Sequence, residues 1–217
     1  MNTDVIFHRR FIVTGALVLF SVLFLGLFSQ SGKVNPFFQT FLVSITFFLV
    51  VPVLYSKIVL EESLKNWGWQ EGKMFLGMLV GMLSVAVALG LIFVLTRTTA
   101  FSSEYFFPVT VQTHFGWFLV YELVVVAFTA LLYEVFFRGL IQLLWLRSFG
   151  LWAVLFQALF VLTLLFLTGD ISWQRAPLIL FSPFAGLIAY FSQSIWYSWG
   201  ASFLFFFLTD IFLLVIH

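Results

Sequence analysis

An all-α, polytopic transmembrane helix bundle of about seven spans is the fold class this sequence predicts, and three observations carry it. Hydrophobic residues make up 63% of the 217 and charged residues only 9%, where a soluble domain carries about 25% charged. Mean hydropathy is +1.13. Apolar runs long enough to cross the roughly 30 Å hydrocarbon layer recur along the chain, and at this length and apolarity only helices satisfy their own backbone inside lipid. The expected location is therefore an integral position in a membrane. A net charge of +1 gives no reason to expect a nucleic-acid partner. Zero cysteines remove disulfides, thiolate metal sites and cysteine nucleophiles together.

Each element follows from its local pattern. Residues 1–10 form a polar head ending in His8-Arg9-Arg10, and Phe11 to Phe28 is long enough to span. No small-residue cleavage site follows it, so the expectation is a retained helix with a turn at Ser29-Gln30-Ser31-Gly32-Lys33. Phe37 to Tyr55 is a second span, with Pro52 expected to kink it. Ser56 to Lys73 is the longest charged stretch. Its Leu60, Leu64 and Trp67 recur at helical spacing, which predicts an amphipathic segment lying along the membrane surface. Met74 to Leu95 is the third span, where Gly77, Gly81 and Gly90 permit close helix approach. Thr96 to Gly116 is an aromatic-rich interfacial loop.

Trp117 to about Arg147 forms one long hydrophobic unit. Leu151 to Leu167, Leu178 to about Ser194 and Trp199 to Ile216 complete seven spans. No polar linker divides the chain, so one integral membrane domain is expected, read as N-terminal spans and amphipathic linker (1–116) followed by a helical core (117–217). The basic residues set the expected orientation. With the N-terminus cytoplasmic, that side carries Arg9, Arg10, Lys57, Lys65, Lys73, Arg138 and Arg147, against Lys33, Arg97 and Arg175 opposite.

The chemistry concentrates in Leu132-Tyr133-Glu134-Val135-Phe136-Phe137-Arg138-Gly139. Glu134 and Arg138 are four residues apart with the acid first, the favoured order for a helical ion pair. A lone charge at membrane depth costs a few kcal/mol or more, so both are expected to face the bundle interior. Glu122 and Asp210 are the other acids inside predicted spans. Glu122 lies eleven residues before Tyr133, on nearly the same helix face but about 16 Å away. Asp210 is expected to hydrogen-bond within the bundle.

The same stretch resembles the first motif of the CPBP (Abi) family, the CAAX-protease and bacteriocin-processing intramembrane proteases, whose pattern reads Glu-Glu-x-x-x-Arg, commonly with Phe before the Arg and Gly after it. Glu134, Phe137, Arg138 and Gly139 match. The first Glu, the family's catalytic carboxylate, is Tyr133 here. Ser63-Leu64-Lys65-Asn66-Trp67-Gly68-Trp69 is similar to a linker often found before that family's core. The family's second motif, Phe-x-x-x-His, falls on Phe160 to Leu164, placing Leu164 where the histidine belongs. The third is a His followed four residues later by Asn, after a Ser-Leu-Trp-like lead-in. Ser194-Ile195-Trp196 supplies the lead-in, and the usual offset lands on Ser202 and Phe206.

The histidine inventory agrees with those substitutions. His8, His114 and His217 lie in the head, a loop and the last position, none of them mid-membrane. Neither a metal nor any other cofactor is expected, because a zinc or water-activating site needs imidazole or carboxylate ligands converging from several helices. Tyrosine titrates near pH 10, and burial raises that, so Tyr133 is expected to act as a hydrogen-bond donor and not a base. Ser202 has no histidine partner and no lysine lies within a span, which excludes both common serine-hydrolase arrangements.

The resemblance therefore implies a family scaffold without its cutting residues: a catalytically inactive binding, structural or regulatory subunit of a membrane complex. Its expected partner is a membrane protein or hydrophobic peptide segment within the bilayer, as a hetero-oligomer in a prokaryotic cytoplasmic membrane. Two alternatives stand beside it. One is an active intramembrane endopeptidase of the same family with an atypical site. The other is a small transporter or channel subunit, which the absence of repeats and of mid-span breaks disfavours.

Overall fold

A computed structural model describes residues 3–28, 36–107, 111 and 113–216, and among them there is no strand. The protein is a helical membrane protein built on seven main helices. They are α1 (Thr3–Phe28), α2 (residues 36–60), α3 (Met74–Thr98), α4 (Phe115–Trp145), α5 (Trp152–Leu167), α6 (Ala176–Ser192) and α7 (Ile195–Ile216). Six of them are long and apolar enough to cross a membrane. The exception, α5, has 16 residues. At 1.5 Å per residue it reaches about 24 Å, short of a full hydrocarbon crossing. The seven expected spans thus become six long helices and one short one.

Contacts between helix ends define two faces of the bundle. On the first, Trp145 Nε1 donates to the Phe11 carbonyl, Arg10 pairs with Glu62 at 3.7 Å, and Lys73 N–H donates to the Ser192 carbonyl. This gathers the starts of α1, α3 and α7 with the ends of α2, α4 and α6. On the second face, Tyr105 bonds Asp210 and Gln174 exchanges hydrogen bonds with the Phe106 backbone. The ends of α3 and α7 meet the start of α6 there.

Two apolar clusters fill the bundle. One joins Val18 and Val22 of α1, Phe48 of α2, the second half of α4, and Val161, Leu164 and Leu165 of α5. The other joins Val85, Ala88 and Ile92 of α3 with Phe181 and Ala185 of α6 and Phe205 of α7. Both draw on residues from either side of position 117. The second half of α4 forms the middle of the first cluster, and every residue from Glu134 to Leu143 is buried. The stretch that stands out in the sequence is the central rod of the fold.

Three local expectations need correction. The segment after α2 is not a surface helix. Its Leu64–Trp67 turn is a single 3-10 turn tucked under the bundle, with Trp67 fully buried and its carbonyl against Gly139. Leu60 and Trp67 recur as they do because both point inward, one from the end of α2 and one from this turn. Gly72 (φ +61°) sits so close to the Ser192 carbonyl that a side chain there has no room. Gly77 gives the same close approach to Tyr197, whereas Gly90 has nothing near it. Finally, the helices do contain irregularities. Wide i→i+5 turns occupy Thr46–Val50, Tyr121–Val126 and Glu134–Trp145. The first precedes Pro52, whose missing N–H and bulky ring disturb the preceding turn.

Candidate functional site

Glu134 is held by three groups from two helices. The Ser198 hydroxyl donates to Oε2 at 2.5 Å and the Ser202 hydroxyl donates to Oε1 at 2.9 Å, both from α7. Arg138 Nε lies 3.6 Å from Oε1, with both side chains almost wholly buried. At an effective dielectric constant of about 20, that separation gives an attraction of roughly 4–5 kcal/mol, which the desolvation of two charges largely offsets. Arg138 also donates to the Ser182 carbonyl of α6 at 3.2 Å. Its Nε and other terminal nitrogen have no hydrogen-bonding partner among the described residues.

Two glutamines extend this polar centre. Gln157 of α5 donates to the same Ser182 carbonyl at 2.9 Å, and Gln142, one turn beyond Arg138, donates to the Gly186 carbonyl at 2.7 Å. Gly186 makes this possible, since a Cβ there would sit 2.6 Å from Gln157 Nε2 and 3.1 Å from Gln142 Oε1. Four helices therefore converge on the ion pair through polar side chains or backbone carbonyls. The space left among Glu134, Arg138, Ser182, Ser202 and Phe206 is about 10 Å³, at or below what a single water needs. The centre is filled.

The sequence-predicted positions separate in three dimensions. Glu134, Arg138 and Ser202 come together. Leu164 does not join them: it packs in the apolar cluster with Val161 and Leu165. The α5 residue that reaches the site is Gln157, two helical turns earlier. On α7 the two residues bonding Glu134 are Ser198 and Ser202, a pair with the four-residue offset expected of Ser202 and Phe206. Phe206 instead stands at the edge of the site, and so does Tyr133, which stacks on Phe137 and meets Phe48 edge-on. The Tyr133 hydroxyl has no hydrogen-bond partner among the described residues, so its expected donor role is not seen.

Tyr133 and Phe206 also face a second, much larger space. A cavity of about 620 Å³ lies toward the second face of the bundle, within the usual size range of ligand pockets. Its inner wall is apolar, with Val126, Ala130, Leu178 and Phe206 beside the Tyr133 ring. Its outer wall is polar. Arg175 and Asp170 form an ion pair at 2.6 Å, and the Tyr105 hydroxyl donates to Asp210 at 2.7 Å. Burial and the neighbouring Asp210 carboxylate push the Tyr105 phenol well above its ordinary value near 10, which keeps it a donor. Tyr121 and Tyr133 both line the cavity from α4, so it runs about 18 Å along that helix.

Asp210 thus does hydrogen-bond within the bundle, through a tyrosine supplied by the loop after α3. Glu122 lies beside it, fully buried, and its carboxyl faces that of Asp210 within hydrogen-bonding reach, so the two acids form a close carboxyl pair. No group of three or more His, Asp or Glu side chains that could hold a metal ion occurs among those residues. The donor set at Glu134, two hydroxyls and a guanidinium, likewise does not suit zinc.

No family model matches this chain, no curated protein matches its sequence, and no solved structure matches its fold.

Proposed function

We propose that this protein is a non-cleaving relative of the CPBP intramembrane proteases that holds an apolar segment of a membrane partner in the 620 Å³ cavity. One observation carries the reading: Glu134 is saturated by Ser198, Ser202 and Arg138 in a space of about 10 Å³, directly beside an open cavity. A carboxylate in that setting has no room for a water and no imidazole to activate one. The family likeness is supported by the polar positions taken in their structural register. Gln157 stands where α5 meets the motif helix, and Ser198 and Ser202 have the spacing of the family's His and Asn. In this register, hydrogen-bonding residues replace the cutting residues and the scaffold's centre stays polar.

The partner contacts the wall formed by Tyr133, Phe206, Ala130 and Leu178, with the Asp170–Arg175 and Tyr105–Asp210 pairs at the rim. On this reading the N-terminus is cytoplasmic, in a prokaryotic cytoplasmic membrane. Arg138 is buried in the bundle and no longer counts toward the loop charge. That leaves six basic residues against three, and the bias stands.

The test is incubation of the purified protein with prenylated peptides and with membrane-spanning peptides, alongside metal analysis. No cleavage and no stoichiometric zinc are expected. Cleavage that disappears in Glu134→Gln overturns the proposal in favour of an active protease with an atypical site. The reading as a transporter or channel subunit draws on the two cavities at opposite faces and on the wide turns in α4. The filled centre between those cavities places it second, and solute flux in proteoliposomes would reverse that order.

A further inference from the structure

A separate cavity of about 330 Å³ opens at the first face, where α3 and α5 begin and α4 and α6 end. Lys73 and Arg147 line it, and no acidic side chain does. Neither cation forms an ion pair among the described residues; the three ion pairs there are those of Arg10, Arg138 and Arg175. The start of α3 adds to this charge. Lys73 precedes it without a side-chain cap, so the first-turn N–H groups near Leu76 remain available to an anion.

Several carbonyls at the competing negative ends are already occupied. The Ser192 carbonyl takes the Lys73 N–H, the Ala189 carbonyl takes the Gln193 N–H, and the Ile141 carbonyl takes the Leu146 N–H. Gln142 also lines the cavity, with its amide turned inward against Gly186. The flanks are apolar: Leu76 and Phe191 line the cavity and are both exposed on the outside of the bundle.

We infer that this cavity binds the headgroup of an anionic phospholipid. Lys73, Arg147 and the α3 N-terminus take the phosphate, and the acyl chains descend past Leu76 and Phe191. Basic pockets between transmembrane helices are suited to such headgroups, and the apolar flank distinguishes a lipid from free phosphate. The site is independent of the cavity that holds Tyr133 and Phe206.

The test is native mass spectrometry of the detergent-solubilised full chain with added phosphatidylglycerol, phosphatidylcholine or inorganic phosphate, paired with thermal melting. Wild type should retain phosphatidylglycerol in preference to phosphatidylcholine and melt higher in its presence. Lys73→Gln and Arg147→Gln should each weaken phosphatidylglycerol retention about fivefold, while melting with wild type when no lipid is added. Lys57→Gln and Lys65→Gln, which remove exposed charges from the same face outside the cavity, should leave retention unchanged. Lys73→Arg should preserve it, which separates charge from folding. Equal retention of phosphatidylcholine, full retention by the Lys73→Gln/Arg147→Gln double variant, or displacement of the lipid by millimolar phosphate would each overturn the inference.

Discussion

Two neighbouring regions on the inner side of α4 have opposite character. Around Glu134 and Arg138, polar groups from α5, α6 and α7 close in until about 10 Å³ remains. Around Tyr133 and Phe206, about 620 Å³ stays open, although these residues adjoin the ion pair. The difference teaches where charge and space go around a buried ion pair. A carboxylate and a guanidinium inside an apolar bundle are costly unless partners surround them, so the structure packs hydroxyls and carbonyls against them. Aromatic rings carry no such requirement and can border a void at modest cost.

This contrast predicts unequal responses to truncation. Arg138→Ala should have the largest effect, because it leaves Glu134 buried with two hydroxyls and no countercharge. A loss of about 3–5 kcal/mol is expected, read as a sharp fall in folded yield and melting temperature in detergent. An Arg138→Ala protein as heat-resistant as wild type would show that the pair is dispensable.

Leu164→Ala and Phe206→Ala should follow, in that order. Leu164 is 3% exposed within the first apolar cluster, so its truncation opens a cavity costing about 2–5 kcal/mol. Phe206 already borders open space, and its truncation should fall at or below the lower end of that range. Equal losses from both variants would mean that the large cavity is closed in the membrane and that the two regions do not differ.

How much of this was legible in the sequence depended on the kind of residue. Helices were readable because lipid forces long apolar runs into one conformation, and the starts of α3 and α4 lay within two residues of expectation. The inward placement of Glu134 and Arg138 was readable because the cost of exposing either to lipid leaves little choice. Asp210 was readable for the same reason, although its partner Tyr105 was not: it comes from a loop 105 residues away in sequence.

Gln157 and Gln142 were missed. A neutral amide in an apolar run stands out less than a charge, yet each needs a partner in the bilayer, and that was the available signal. Leu164 was placed at the site by motif spacing alone, and two turns of helix separate it from the residue that reaches Ser182. The 64–67 turn was misread because burial of Leu60 and Trp67 from different elements imitates the periodicity of one amphipathic helix.

The most direct test of the account places a photoreactive phenylalanine analogue at Phe206 in one protein and at Leu164 in another, in cells of the native host. Illumination should join the Phe206 variant to a distinct membrane polypeptide and leave the Leu164 variant without an adduct, since only the first position borders the open cavity. An adduct at both positions, or at neither while both proteins fold, would contradict the claim that the cavity beside the filled centre is where a partner is held.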